Sequence, residues 1–381
     1  MRATAKKLSK QKNKNAELAI VTDPIETAEE AGLRYVADRQ PGYIRQAKGD
    51  HFAYFDTEGK VVRDRQRLLR IKRLAIPPAW KEVWICPSPN GHIQAIGRDA
   101  RGRKQYRYHN RWREIRDENK YDRMIDFGKA LPRIRRRVCK DMALPGLPRN
   151  KVLATIVQLL ERTFIRVGNA EYARENNSFG LTTLQNRHVN VKGSKLRFRF
   201  KGKSGREREV DVTDRHIAKI VAKLQDLPGQ DLFRYVDDQG VVCDVTSQDV
   251  NDYLREIAGQ DFSAKDFRTW GGTVLAAIAL RTVGAFETKK QGQANITRAI
   301  RAVAKLLGNT PAICRKCYVH PAILELYLDG KFTAGLKAKT GQNGSDLTRA
   351  RRIVDFESGE AAILRWLQSH LSQKPPSAAA K

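Results

Sequence analysis

Acidic side chains are scarce in this chain of 381 residues, where 42 Asp and Glu face 72 Lys and Arg for a formal net charge of +30. That imbalance calls for a polyanionic partner, nucleic acid or an anionic membrane. Long apolar runs are missing as well. The stretch from Val274 to Leu280 in GGTVLAAIAL is far shorter than the roughly 18 residues a membrane span needs, which excludes an integral membrane protein. Cysteine is sparse, with only Cys86, Cys139, Cys243, Cys314 and Cys317; an odd, scattered set excludes a disulfide framework and fits reducing cytosol. Cys314 and Cys317 form a CxxC with no second pair, so they read as small packing residues on a helix rather than a zinc site. The acids are strewn among basic residues instead of clustering as divalent ions require, and GxxxxGK[ST] is nowhere complete, so neither a metal nor ATP is expected. The N-terminal MRATAKKLSKQKNKNAEL has no apolar core to follow its basic residues and reads as a disordered basic arm, not a secretory signal.

What is present suits packed cores, with 41% hydrophobic residues in a chain long enough for two domains. Behind the arm lies an acidic patch of Asp23, Glu26, Glu29 and Glu30. HFAYFDTEGKVV and VWICPSPNGHIQAI each read as a hairpin, the second around Asn90-Gly91. Between them RQRLLRIKRLAIPPAW gives a short amphipathic helix stopped by Pro77 and Pro78. Beyond about Asp117 the period becomes helical. Leu153, Ile156, Val157, Leu160 and Phe164 form one stripe; Ile217, Ile220, Val221 and Leu224 another; Val250, Tyr253, Leu254 and Ile257 a third. One β island, HVNVKGSKLRFRFKGKSGREREVDV, alternates as a three-stranded meander whose second turn presents Lys203. A last helix is expected near Ala361 to Leu367. The fold class is α+β: a small β-rich N-terminal domain over 31–117 and a larger, mainly helical domain over 118–368 that contains the meander. Residues 1–30 and 369–381 form an arm and a flexible tail.

Charge concentrates between Arg98 and Arg116, where eight basic residues meet two acids and are interleaved with Tyr106, Tyr108, His109 and Trp112. Basic and aromatic groups together suit phosphates and bases. Strand alternation sets Gln105, Arg107 and His109 against Tyr106 and Tyr108, so that Gln105 is a candidate for reading a base edge; the plainer alternative is a solvated face with the tyrosines in the core. RIRRRVCK is a second basic cluster. Neither run has the broad apolar face that an interfacial membrane helix buries. Double-stranded DNA is the expected partner, with no membrane and no small-molecule cofactor.

Several separated motifs resemble those of the type IB DNA topoisomerases of the small poxvirus and bacterial kind, over roughly Leu33 to Tyr327. GRDARGRKQYRYH is similar to the family's DNA-contacting ribbon, and IRVGNAEYARENNSFGLTTLQNRHV, FKGKSG, KDFRTWGGT and GNTPAICRKCY are similar to its catalytic segments in the same order. The resemblance implies Tyr318 as nucleophile, Arg166 and Arg268 as clamps on the scissile phosphate, and Lys203 as general acid. Asn309 stands where many members carry His, nine residues before the tyrosine; an amide donates a hydrogen bond but does not ionise. Arg103, Lys104, Gln105, Tyr106, Tyr108 and Lys265 are the implied DNA contacts. The implied protein is a cytoplasmic, nucleoid-associated monomer closing on DNA as a clamp.

The residues also make chemical sense by themselves. Attack on a phosphodiester builds charge on two non-bridging oxygens, for which planar Arg donors and one neutral donor are suited. Nearby cations favour a phenolate, and a turn lysine can protonate the departing 5′ oxygen. A tyrosine recombinase uses the same groups, but the segment beginning His-x-Leu-Arg-His is not found around Arg268. A non-catalytic architectural DNA binder would need only the charge.

Overall fold

The computed structural model describes residues 25, 28–29, 31–49, 51–100, 102, 104–331 and 353–371. The basic arm over 1–24, Glu26 and Glu30 of the acidic patch, Arg103, and the tail beyond 371 lie outside the described residues. The chain divides into two compact units, Met1–Arg123 and Met124–Lys381.

The first unit is built on a five-stranded antiparallel sheet in the order β2-β1-β3-β4-β5. Its strands are β1 (Tyr43–Lys48), β2 (His51–Phe55), β3 (Lys81–Ile85), β4 (Ile93–Arg98) and β5 (Lys104–Tyr108). Side chains two apart share a face, so Val83 and Ile85 pack with Tyr43, Ala95 and Ile71, while Trp84 joins Ile93 and Ile96 on the other side. Ile71 comes from α1 (Arg65–Arg73), whose first turn is capped by the Asp64 carboxylate accepting the Arg67 N–H at 2.7 Å. The hairpin read around Asn90-Gly91 is β3–β4, with Trp84 opposite Ile96 and Ile85 opposite Ala95. The one read in HFAYFDTEGKVV differs. The Asp56 turn forms, its carboxylate accepting the Lys60 N–H at 2.8 Å, but Val61 makes only a single bridge to Phe55 and β2 pairs along its length with β1. β1 wins because it offers five paired residues and a Gly49 turn at φ 60. It also buries Arg45, which donates to the carbonyls of Pro77 (3.0 Å) and Ile76 (3.4 Å).

Helix α2 (Asn110–Met142) begins ahead of the expected change near Asp117. Its first turn carries Trp112, already buried against Ala28, Ala31 and Leu33. In the second unit the three apolar stripes lie on α3 (Arg149–Thr163), α5 (Arg215–Gln225) and α6 (Ser247–Ala258); α4 (Ala170–Asn176) falls between. Asp214 caps α5 through the His216 and Ile217 N–H groups, and Thr246 and Asp249 cap α6 reciprocally. The meander is β6 (Val189–Lys192), β7 (Lys195–Gly202) and β8 (Arg206–Thr213), followed by a small hairpin of β9 (Arg234–Val236) and β10 (Val242–Asp244). Along β7, Leu196, Phe198 and Phe200 point inward, while Arg197 and Arg199 face outward and pair with Asp211 (2.8 Å) and Glu209 (3.2 Å) across the ladder.

At the centre runs α7 (Ala264–Val283), buried on every side from Phe267 to Leu280. It is surrounded by α8 (Lys289–Leu307), α9 (Pro311–Tyr318), α10 (Pro321–Leu328) and α11 (Ile353–Leu371) as well as α3 and α6. Each fully buried Leu, Val or Ile there contributes about 1.5–3 kcal/mol. Polar groups fasten α11 to this centre: the Trp270 indole N–H donates to the Glu360 carboxylate, and Arg135 bridges Glu161 and Glu360 at 2.6 and 2.7 Å.

Candidate active site

Arg166 owes its place to the end of α3. Phe164 takes a left-handed backbone at φ 53 while its N–H still bonds Leu160 O at 3.0 Å, and the chain then leaves the helix axis. That conformation costs about 1–2 kcal/mol for a side chain with a Cβ. Ring packing over α7 offsets it, at a spot where a Cβ on Gly271 would come within 2.2 Å of the Phe164 ring. Gly272 makes room for Tyr318 in the same way, since a Cβ there would lie 2.5 Å from Tyr318 O and 3.1 Å from Tyr318 Cβ. The Gly-Gly pair in TWGGT thus admits two neighbours that an alanine would push away. Gly272→Ala is expected to lower stability by about 1–3 kcal/mol through overpacking and, by shifting Tyr318, to slow the DNA cleavage that the sequence resemblance implies by more than that loss explains. Thermal melting beside single-turnover cleavage checks this.

Arg268 lies one turn earlier on α7 and is only 4% exposed. Its guanidinium donates to Phe164 O and, at 2.8 Å, to Leu307 O, thereby tying together the segments that precede Arg166 and Asn309. The same group stands 5.0 Å from the centre of the Tyr318 ring. Asn309 follows Gly308, the left-handed cap of α8 at φ 62, and its own N–H bonds Ala304 O at 2.9 Å. Its amide oxygen accepts from Arg166 Nη2 at 2.5 Å. That orientation leaves Asn309 Nδ2 as a buried donor without a hydrogen-bond partner, and Arg268 Nε is a second. Two unpaired donors cost about 1–3 kcal/mol each in the resting protein. Both are suited to an incoming oxyanion.

Tyr318 is the last residue of α9, a helix that Thr310 caps and Pro311 starts. Its backbone oxygen is held by Thr273 Oγ1 at 3.3 Å. Burial by itself would push the phenol's pKa up; the Arg268 and Arg166 guanidiniums outweigh it and hold the pKa below the ordinary tyrosine value. The converse applies to Arg268, which burial and then the neighbouring Arg166 push down to about 10.

Arg166, Lys203, Arg208 and Arg268 line one pocket, whose wall has no carboxylate among the described residues. Lys203 sits on the exposed turn between β7 and β8, where Ser204 holds a left-handed backbone at φ 67. Of the residues expected from sequence, Arg166, Arg268, Asn309 and Tyr318 are joined by direct contacts, and Lys203 shares the pocket of the two arginines. Arg208 was missed. The available signal was a charged residue on the inward side of β8, in step with Val210 and Val212. Among the described residues no group of three or more His, Cys, Asp or Glu could hold a metal ion. Cys314 is buried in α9 and Cys317 half-buried.

Elsewhere, Lys265 is exposed one turn before Arg268. On β5, Tyr106 is 40% exposed and stacks on Tyr108 at 5.9 Å. Tyr108 is also packed against Trp84, Ile93 and Ile96. Lys104 pairs with Asp38, and Gln105 donates to the Asp99 carboxylate at 2.9 Å. The more exposed aromatic on this strand is therefore Tyr106, and the Gln105 amide is engaged within its own unit. Arg107 donates to Ala75 O at 2.6 Å.

The sequence is similar to known proteins over most of its length. Residues 109–338 match the family described as eukaryotic DNA topoisomerase I, catalytic core, and residues 51–99 match the bacterial DNA topoisomerase IB N-terminal domain. DNA topoisomerase 1B of Acanthamoeba polyphaga mimivirus is 34% identical over 293 residues, covering 75% of this chain and 87% of that protein. DNA topoisomerase 1B of vaccinia virus (strain Copenhagen) is 25% identical over 239 residues, 62% of this chain and 73% of that one. DNA topoisomerase I of monkeypox virus is likewise 25% identical over 239 residues. These matches define the class as DNA topoisomerases. The chain belongs to the type IB DNA topoisomerase family, in its poxvirus-like branch, and is an isomerase acting on DNA.

Proposed function

We propose that Tyr318 attacks a backbone phosphate of duplex DNA, forming a 3′-phosphotyrosyl bond while the bond to the 5′ oxygen breaks. The observation that carries this reading is the Arg268 guanidinium 5.0 Å over the Tyr318 ring, with Arg166 held to Asn309 beside it. Arg166, Arg268 and the Asn309 amide N–H group meet the charge that grows on the non-bridging oxygens. The phenol loses its proton to solvent, a loss that the two cations favour. Lys203 gives a proton to the departing 5′ oxygen and takes it back when that hydroxyl attacks the phosphotyrosine. Because the covalent bond stores nearly the energy of the one it replaces, resealing needs neither ATP nor a metal. Between the two steps the free 5′ end rotates and relaxes supercoils of either sign.

Lys265, Lys104, Tyr106 and Tyr108 are proposed to contact DNA; Gln105 joins them if it exchanges Asp99 for a base edge, and Arg103 belongs to the same ribbon by sequence. The enzyme acts as a monomer in which both units engage the duplex as a clamp, in the cytoplasm at the nucleoid. No helix among the described residues is long and apolar enough to cross a membrane.

The experiment is relaxation of supercoiled plasmid in EDTA without ATP, with detergent trapping of a 3′-linked adduct. Binding without adduct across a range of salt would sink the reading. The role of Lys203 has its own test: Lys203→Ala is expected to slow cleavage of an ordinary phosphodiester by about 100-fold or more. The same variant should cleave a substrate whose bridging 5′ oxygen is sulfur at close to the wild-type rate, because a thiolate leaves without a proton. An equal defect on both substrates would remove Lys203 from that role.

A further inference from the structure

Strand β8 breaks its own pattern at one position. Val210 and Val212 are buried and Arg208 lies on the same side of the strand, opposite Phe200 of β7. A guanidinium on a core-facing side must be satisfied there. Arg208 spends it on another element, donating to Leu306 O at 3.1 Å and Lys305 O at 3.3 Å. Those carbonyls belong to the last turn of α8, where a cation is also favoured by the helix dipole.

The two glycines that flank this side chain fix its path. A Cβ on Gly308 would come 2.4 Å from Arg208 Nη1, and a Cβ on Gly202 would lie 3.1 Å from Arg208 Cγ. Gly202 is the residue before Lys203, and Gly308 is the residue before Asn309. One side chain therefore packs against both backbones that launch the two groups, in a pocket it shares with Arg166, Lys203 and Arg268.

We propose that Arg208 is a positioning residue that fastens the Lys203 turn to the end of α8, so that the general acid and the Asn309 amide are set against one guanidinium. The inference rests on the roles proposed above for Lys203 and Asn309. A bare charge is not enough for this task, because an ammonium is a compact point charge with freely rotating donors and does not hold two carbonyls in one fixed plane as a guanidinium fork does.

Single-turnover cleavage of a duplex with ordinary or sulfur-bridged scissile phosphate tests it, in wild type, Tyr318→Phe, Arg208→Ala and Arg208→Lys, and with Arg208→Ala combined with Lys203→Ala or Asn309→Ala. Misplacing catalytic groups by an ångström costs about 100-fold, so Arg208→Ala is expected to cleave the ordinary phosphate about that much more slowly with DNA affinity unchanged. Sulfur substitution should restore the part lost through Lys203 and leave the part lost through Asn309. The double variants should be slower than Lys203→Ala or Asn309→Ala by much less than 100-fold, the non-additivity of groups that act as a unit. Arg208→Lys should stay at least about 10-fold slow. Wild-type cleavage by Arg208→Ala, full rescue by Arg208→Lys, or strictly multiplicative double variants would each overturn the proposal. If Arg208→Ala does not fold, Arg208→Lys decides alone, slow cleavage at unchanged affinity supporting the role and a wild-type rate removing it. Cleavage that survives in Tyr318→Phe would instead overturn the site itself, which separates the two failures.

Discussion

Tyr318→Phe should abolish the covalent adduct and supercoil relaxation, with cleavage reduced by roughly 10⁴-fold or more, the scale seen when a nucleophile is removed. The argument is specific because so little else changes. A phenylalanine keeps the ring that faces the Arg268 guanidinium at 5.0 Å, and the Thr273 bond to the residue 318 carbonyl is a backbone contact that any side chain permits. Stability should stay within about 1 kcal/mol of wild type, and DNA affinity should hold. Gel shift, melting temperature and detergent-trapped adduct, read together, check the three statements. An adduct persisting in the variant would mean that another side chain attacks.

Arg268→Ala is expected to give the second largest loss, about 10³-fold or more in cleavage, as for a key donor to a transition-state oxyanion. It removes three things together: the proposed phosphate donor, the cation that does most to lower the Tyr318 pKa, and the tie between Phe164 O and Leu307 O. Two buried carbonyls left unpaired cost about 1–3 kcal/mol each, so the variant should also melt earlier. Its pH dependence carries the sharper signature. With the phenol pKa held below its ordinary value of about 10, a larger fraction of Tyr318 is phenolate at any pH below 10 than in free tyrosine. The rising limb of cleavage against pH therefore lies below 10 in wild type. Without Arg268 that limb moves to higher pH, and the variant's relative activity climbs as the solution becomes alkaline. A cleavage profile unchanged in shape would show that Arg268 does not govern the ionisation of Tyr318.

Much of this was legible in the residues because separate signals agreed. α3, α5 and α6 each declare one apolar stripe with cap residues, and the meander alternates cleanly from Leu196 to Phe200. Tyr318, Arg166, Lys203, Arg268 and Asn309 were nameable from spaced motifs, whereas their contacts were not, since residues 164, 268 and 307 meet only through folding. α7 hid its helical nature, because a helix buried all round has no polar face to set a period. β1 hid for the opposite reason: Arg45 is a buried cation satisfied by carbonyls that lie some thirty residues further along the chain. Arg208 is the same case, an inward charge whose partners are on α8.

The fastening of α11 bears on how the enzyme comes into being. Trp270 and Arg135 find their acceptor in Glu360, and Ile363, Trp366 and Leu367 complete the burial around α7. A polypeptide leaves the ribosome from its N-terminus, so α7 emerges with Arg268 in place long before its last cover exists. Until residues 360–367 arrive, the indole and guanidinium lack that partner and an apolar flank of α7 faces water. A nascent or prematurely terminated chain therefore has α7 with one flank unpacked. A polypeptide cut short before residue 360 carries Arg268 on a helix whose packing is unfinished, and such a fragment should melt below the intact protein.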